Sequence, residues 1–473
     1  MRPGRGPSRA PDGGRRSRSR RRRRPRPRRR RSRRRGLSAG WTRRHPASAS
    51  APADRGAGSR TTSVSSRLPR NGPGSGCDGE VRDDEPTPRV RQFDLPLPTP
   101  PDALRKGPLR EGTFTSRLHD PRTAVVIGRW LGAALIVCFV TGLYSHVLQD
   151  PPTWLRDHLP TRPAGLYQFT QGLHVGTGIA AIPLLGAKLW TVYPRLFEWP
   201  PARSVRHALE RLGILLLVAS MLLELFTGLL NTLQWYVWPF PFRQTHFWLA
   251  WIALGGLLLH LAVKAPEIAA HWRRVRPGLT ERRAYLTTVT LSVLAVTAVT
   301  AGQSVPWLRR LDLLAPRRPD IGPQGLPVNR TAAAAGTAQT PADWRLQVVG
   351  PRPYELTMDQ LTALEQHDSD LPIACVEGWS ASARWTGVRI RDLVARAGAP
   401  STARLRITSL ETDGAYGVTE MESAYARDPL TLLALRVNGE VLHADHGYPA
   451  RIIAPGRPGV LQTKWVHRIE VIA

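Results

Sequence analysis

Five long apolar stretches in the middle of this 473-residue chain constrain it more than any other feature. They fall at approximately 123–148, 166–193, 205–235, 246–268 and 284–305. Each is about long enough to cross ~30 Å of hydrocarbon as a helix. A buried soluble core is the competing reading, and five runs of this length argue against it. Short loops rich in Pro, Trp and Tyr separate the runs, and Gln-Trp-Tyr-Val-Trp at 234–238 suits an interfacial aromatic belt. Residues 121–305 are therefore expected to form an α-helical membrane bundle of five spans.

Charge sets the direction of the spans. The formal net charge is +31, which on its own suggests a nucleic-acid binder. Between Arg2 and Arg44, however, 21 arginines face one acid, Asp12, so about two-thirds of the charge lies in the first tenth of the chain. Residues 1–120 are Arg-, Pro-, Gly- and Ser-rich and too poor in apolar surface to offset the entropy of ordering, so they are expected to be a disordered tail. Nucleic acid is not the expected partner; membrane lipid is. Arg195, Arg203, Arg206 and Arg211 between the second and third spans, with Arg273, Arg274, Arg276, Arg282 and Arg283 between the fourth and fifth, mark the cytoplasmic side. The odd number of spans then puts the C-terminus outside, although Arg309, Arg310, Arg317 and Arg318 run against the rule. Three dispersed cysteines, Cys77, Cys138 and Cys375, exclude a disulfide scaffold or a Cys-rich zinc module.

A Pro/Ala/Gly linker is expected at 306–340, followed by a second domain over 341–473. Short alternating runs at 345–349, 405–410, 451–454 and 468–472 read as strands, and 358–365 and 388–397 as helices, the latter closed by Gly398. This is a mixed α+β pattern long enough for its own core. Its one cysteine, Cys375, lies in Leu371-Pro-Ile-Ala-Cys-Val-Glu-Gly-Trp-Ser, an apolar strand running into a polar turn. A thiolate there is a candidate nucleophile, metal ligand or redox centre.

Four ordered segments then carry a resemblance: Ala383-Arg-Trp-Thr-Gly-Val-Arg-Ile-Arg-Asp-Leu, Asp428-Pro-Leu-Thr-Leu-Leu-Ala-Leu-Arg-Val-Asn-Gly-Glu-Val-Leu, Asp445-His-Gly-Tyr-Pro-Ala-Arg-Ile-Ile-Ala-Pro-Gly and Lys464-Trp-Val-His-Arg-Ile-Glu-Val. Together they resemble the sulfite-oxidase-like molybdopterin family. The resemblance implies that Cys375 supplies the protein thiolate to molybdenum, and that Arg384, His446, Arg451 and Lys464 contact the pterin and its phosphate. An Arg fork and a Lys point charge suit phosphate on their own chemistry. Two departures disfavour sulfite as substrate: Ser380 stands where sulfite oxidases hold the anion with arginine, and Leu435 where they have tyrosine. The turn Cys-Val-Glu-Gly-Trp-Ser looks more like the bacterial branch that contains periplasmic methionine sulfoxide reductases. The sequence stops at the pterin core, so the dimerisation domain of sulfite oxidases is not expected.

Histidines within spans are costly and mark function. His246 and His260 lie fourteen apart on one expected helix, hence on one face and ~21 Å apart, which suits two stacked haems. Axial partners would be His146 for His246 and His174 for His260, with a single haem as the simpler case. Resemblance helps here too, since Gly172-Leu-His-Val-Gly-Thr-Gly and Lys188-Leu-Trp are similar to membrane cytochromes of the b type. Glu224, in mid-span, is a candidate proton relay or quinone contact. Thr280-Glu-Arg-Arg-Ala-Tyr-Leu resembles a twin-arginine export signal, which would let a molybdenum domain loaded in the cytoplasm cross the membrane folded.

The expectation is thus a multi-pass protein of a bacterial plasma membrane. It carries an extracytoplasmic molybdopterin (Mo) domain that performs two-electron oxygen-atom transfer on a small molecule. Electrons would pass through haem b to or from quinone or a redox partner protein. Two alternatives remain at this point: the same enzyme domain on a haem-free anchor served by a soluble partner, or a cofactor-free binding module with a basic tail for nucleic acid or lipid.

Overall fold

The computed structural model describes residues 99, 102–106, 114–272, 280–315, 317–318, 321–412, 414 and 416–472. The arginine run of the tail, Cys77, Arg273, Arg274 and Arg276 lie outside the described residues. A short helix α1 (Asp102–Lys106) precedes five long ones: α2 (Pro121–Gln149), α3 (Leu166–Leu196), α4 (Val205–Leu233), α5 (Phe242–Trp272) and α6 (Thr280–Thr300). All five are long and apolar enough to cross a membrane. Their starts have local causes. Pro121 stands in the first turn of α2, where a missing N–H costs nothing. Ser204 caps α4 by accepting from His207 N at 3.2 Å. Arg282 and Arg283 lie in the first turn of α6.

α2 packs along α3, α4 along α5, and α6 against α3. Gly256 allows close approach of α4 and α5, for a Cβ there would come within 3.2 Å of the Leu217 backbone. Leu209, Leu212, Leu215, Leu222 and Leu223 of α4 are exposed, as a lipid-facing surface requires.

The C-terminal domain is built on two sheets. The first has the order β2 (Tyr354–Thr357), β1 (Arg345–Val349), β10 (Val466–Ile472), β5 (Arg404–Ser409), β6 (Val418–Met421), with β1 and β10 parallel and the other pairs antiparallel. The second runs β3 (His367–Ala374), β4 (Ser380–Arg389), β7 (Leu432–Val437), β8 (Glu440–Val441), with β9 (Arg451–Ile453) also paired to β7. Helices α7 (Met358–Ala363), α8 (Ile390–Arg396) and α9 (Ser423–Ala426) complete it. Leu346, Val348, Leu405, Ile407 and Ile469 of the first sheet share one buried cluster with Val388, Leu433 and Ile452 of the second.

That cluster does not stop at the domain edge. Leu148, Leu159 and Tyr167, from the end of the helical bundle, are part of it. Polar contacts follow the same seam: Arg162 grips Asp428 with both guanidinium nitrogens at 2.8 and 2.9 Å, and Gly456 N donates to Ala164 O at 3.1 Å. The domain therefore sits on the end of the bundle formed by the α2–α3 and α4–α5 connections, opposite the segment carrying Arg195, Arg203, Arg206 and Arg211.

The expected linker at 306–340 departs from a free spacer. Leu326 lies in the core around Trp385, and Ala332 and Ala335 pack on Trp465. Small side chains that read as linker composition are here the ones that fit under a tryptophan.

Candidate functional site

Cys375 follows β3 and opens the turn that leads into β4. Its N–H donates to Trp379 O at 2.8 Å and its carbonyl accepts from Gly378 N at 3.0 Å, and its thiol hydrogen-bonds to Glu377. Gly378 has φ +86°, and a Cβ there would stand 2.9 Å from Val175 Cγ2 of α3. Only glycine meets both demands. Helices of the bundle hold the turn from below. Asn231 Nδ2 of α4 donates to Val376 O at 2.9 Å, Ser304 Oγ donates to Gly378 O, and Gln168 of α3 donates to Ser380 Oγ at 3.2 Å. The thiol itself is 1% exposed. Burial, reinforced by the Glu377 carboxyl beside it, pushes its pKa well above the ordinary cysteine value.

Two basic side chains, Arg451 of β9 and Lys464 in the segment before β10, lie close enough to feel this thiol, and His446, in the turn before β9, lies beside both of them. Arg451 and Lys464 are buried, and among the described residues neither forms an ion pair. Arg451 donates one bond to His446 O at 3.2 Å, its Nε finds no acceptor among the described residues, and its guanidinium lies 5.4 Å over Trp385. Burial draws it down to about 10, with Cys375 close enough to oppose the shift. Lys464 donates to the carbonyls of Arg330 and Asp445, each at 2.8 Å. Burial, and Arg451 next to it, draw it down to about 7. His446 bonds through Nε2 to Pro323 O at 2.7 Å, and burial brings it down to about 4. Buried cations without carboxylates are costly. A site that keeps two of them is built to receive an anion, and an Arg fork with an orphaned Nε fits a phosphate-bearing cofactor. Gly447, with φ +106°, brings the loop so close that a Cβ would lie 2.9 Å from Lys464 Cβ.

Lys464 gives a test in the cofactor-free chain. With a folded value of about 7 against about 10.4 unfolded, the folded state binds fewer protons than the unfolded one between these pH values. Stability therefore rises as pH increases from about 7 towards 10. Thermal unfolding of cofactor-free protein should show that rise, and the Lys464→Met variant should show less of it.

Arg384 is not brought to this group. Along β4 burial alternates, so Ala383 and Trp385 point inward and Arg384 outward, 64% exposed. Its guanidinium pairs with Asp368 at 2.7 Å, and Thr386 with Arg384 holds that carboxylate below its ordinary range. Conversely, four residues not singled out in the sequence lie in or near the Cys375 turn. Glu377, raised by burial, accepts from the Trp379 indole at 3.2 Å. Arg243, in the first turn of α5, donates to Tyr416 Oη at 2.9 Å and to Gln149 at 2.8 Å. Tyr236, raised to about 12 by burial, and Tyr416, raised by burial, both feel the Cys375 thiol. Glu377 could have been suspected from its spacing to Cys375; the other three come together only through the fold.

Below the turn, the bundle encloses a cavity of about 560 Å³ lined by Cys138, His146, His174, Glu224, His246 and Val376, among others. His174 of α3 and His246 of α5 meet here with ring centroids 6.2 Å apart and planes at 87°. His174 Nδ1 donates to Cys138 O at 2.8 Å. His246 Nδ1 lies 2.7 Å from Glu224 Oε2 and 3.0 Å from Thr227 Oγ. These acceptors fix the proton on Nδ1 and leave Nε2 of both rings without a hydrogen bond among the described residues. The pairing differs from the depth arithmetic of the sequence. α3 protrudes beyond its neighbours, with Tyr167 inside the C-terminal core and Gln168 on Ser380, so His174 lies level with His246. His146 instead stacks on Phe247 at 3.7 Å, and His260 makes no ring contact with another histidine among the described residues.

Residues 333–473 match the family described as the oxidoreductase molybdopterin binding domain. Mitochondrial sulfite oxidase of Mus musculus is 31% identical over 161 residues, covering 28% of this chain and 29% of that protein. The protein named putative protein-methionine-sulfoxide reductase subunit YedZ1 of Azospira oryzae is 31% identical over 140 residues, 28% of this chain and 49% of the relative. NADH nitrate reductase of Spinacia oleracea is 32% identical over 162 residues, 27% and 17% respectively. The chain thus spans about half or less of the length of these relatives. The C-terminal domain is a molybdopterin-binding oxidoreductase domain of the sulfite oxidase-like kind. The match begins at residue 333, within the expected linker and among the alanines that pack on Trp465.

Proposed function

We propose that the chain is a membrane-anchored molybdenum oxidoreductase of a bacterial plasma membrane. It acts on a small extracytoplasmic substrate, with electrons relayed through one haem b to or from a quinone. The observation that carries this reading is the convergence on Cys375 of buried Arg451 and Lys464, neither in an ion pair among the described residues, next to the cavity that holds His174 and His246. Bound there, the molybdenum cofactor supplies two-electron oxygen-atom transfer and the haem one-electron transfer. Cys375 provides the thiolate ligand. Arg451, Lys464 and His446 bind and orient the anionic part of the cofactor. Asn231 and Ser304 hold the turn so that the thiolate and the membrane histidines keep a fixed relation. Ser380 and Leu435 supply neither the cation nor the phenol of a sulfite pocket, which favours a substrate other than sulfite. The arginines at the opposite end of the bundle favour an extracytoplasmic site by the positive-inside rule.

The haem reading rests on His174 and His246. Their rings line one cavity with centroids 6.2 Å apart, so together they would hold a haem, which would supply one-electron transfer. A pair of imidazoles lining a cavity between the helices suits a haem. Gly142 opens the wall, since a Cβ there would stand 2.8 Å from His174 Cε1. Molybdenum and pterin analysis together with a reduced-minus-oxidised spectrum tests the whole reading. Wild-type membranes should show b-type bands. His174→Ala and His246→Ala should each lose them, while His146→Ala and His260→Ala keep them. Bands that survive in His174→Ala, or a wild type without molybdenum, count against the reading.

A further inference from the structure

Glu224 is an ionisable group in the middle of a span, 8% exposed, where such a residue is expensive to keep. Its environment is asymmetric. One oxygen, Oε2, sits 2.7 Å from His246 Nδ1, while the other, Oε1, is buried with no hydrogen-bond partner among the described residues. Thr227, one turn on, donates its own proton to Leu223 O at 2.8 Å and so offers only its oxygen to the same imidazole, at 3.0 Å. Gly228 completes the face, its Cβ position 3.4 Å from His246 Cε1. Positions 224, 227 and 228 lie together on one side of α4. That side presents a carboxylate, a hydroxyl oxygen and bare backbone to a single ring. The other histidine of the pair, His174, faces no carboxylate through its Nδ1 among the described residues: that nitrogen meets the Cys138 carbonyl at 2.8 Å and the Cys138 thiol at 3.5 Å.

Resting on the bis-histidine haem reading, we infer that Glu224 is a positioning residue that holds His246 as an electron-rich axial ligand and biases the haem towards its oxidised state. Two physical effects act in the same direction. A carboxylate hydrogen-bonded to the far nitrogen of a metal-bound imidazole raises its basicity and fixes its tautomer. Its negative charge, in the low dielectric of the bundle, opposes the arrival of an electron at the iron. Such an arrangement would make the membrane haem a stronger reductant than one whose ligands both face neutral carbonyls. An arrangement of this kind serves a chain in which electrons leave the haem for the Cys375 side of the bundle.

Glu224→Gln keeps the shape and one acceptor oxygen but removes the charge. In full-length protein in membranes, spectroelectrochemical titration should retain the wild-type haem content. The reduction equilibrium should shift about tenfold towards the ferrous form, which is about 59 mV for a one-electron couple. Glu224→Asp, which keeps the charge, should stay with the wild type, as should Thr227→Val. A glutamine variant with full haem content and an unmoved midpoint overturns the inference. So does an aspartate variant that follows the glutamine one, or a Thr227→Val midpoint that moves as far. Absence of b-type bands from the wild type would instead remove the haem reading on which this rests, a result distinct from all of these.

Discussion

Cys375→Ser is expected to reduce oxygen-atom transfer by more than about 100-fold, beyond the range typical of losing a ligand's supporting contact, while leaving the fold and most of the bound pterin in place. The turn is defined chiefly by the backbone bonds of Cys375 N to Trp379 O and of Gly378 N to Cys375 O, and the thiol's own hydrogen bonds to Glu377 are ones a hydroxyl can also make. A hydroxyl therefore fits the same buried position. What it lacks is the thiolate, the form in which cysteine binds a metal. The pterin and phosphate contacts expected from Arg451, Lys464 and His446 do not depend on this atom, so pterin content and activity should separate. Because burial and Glu377 hold the thiol well above its ordinary pKa, metal binding must displace a proton, and loading should weaken as the pH falls. The decisive measurement is molybdenum, pterin and turnover on the same purified full-length preparation. Undiminished turnover in the serine variant would dismiss Cys375 as the ligand.

How much of this was legible in the sequence follows from the range of the forces involved. The five spans could be read because a long apolar run reports itself, and the observed helices differ from the expected ones mainly by a turn of polar or aromatic residues at their ends. The strands at 345–349 and 468–472 could be read from alternation. The same alternation, applied to Ala-Arg-Trp, places Arg384 on the outer face once Trp385 is assigned to the core. Family motif and strand geometry point in different directions at that residue, and the geometry puts it beside Asp368. The meeting of His174 with His246 could not be read, because depth was counted from the ends of apolar runs. α3 continues out of the bundle into the C-terminal core through Tyr167, whose ring is buried there while its hydroxyl bonds Ser145 at 3.0 Å. Contacts such as Asn231 to Val376 or Arg243 to Tyr416 join residues more than a hundred positions apart and leave no local pattern. Pro323 and Arg330, which receive His446 and Lys464 through their carbonyls, act through backbone atoms that every residue possesses.

Arg451→Met and Lys464→Met should each have effects of opposite sign on cofactor and on fold. Both side chains are buried without an ion-pair partner among the described residues, and both are drawn down from their ordinary pKa values by burial, Arg451 to about 10 and Lys464 to about 7. Methionine fills a comparable volume without a charge to desolvate. In cofactor-free protein, exchanging a buried charge for an apolar side chain is expected to be neutral or to stabilise the domain by roughly 1–4 kcal/mol, read as a higher thermal midpoint. Pterin and molybdenum content should fall at least about tenfold in the same variants, because the cation that offsets the cofactor's charge has gone. Arg384→Met supplies the control: its side chain is exposed and engaged with Asp368, so cofactor content should match the wild type. A stabilised protein that no longer retains cofactor is what a site built for an anion predicts. Destabilisation with cofactor retained would mean that Arg451 and Lys464 serve the fold through their carbonyl bonds and cation–π contacts, and that the anionic group is bound elsewhere.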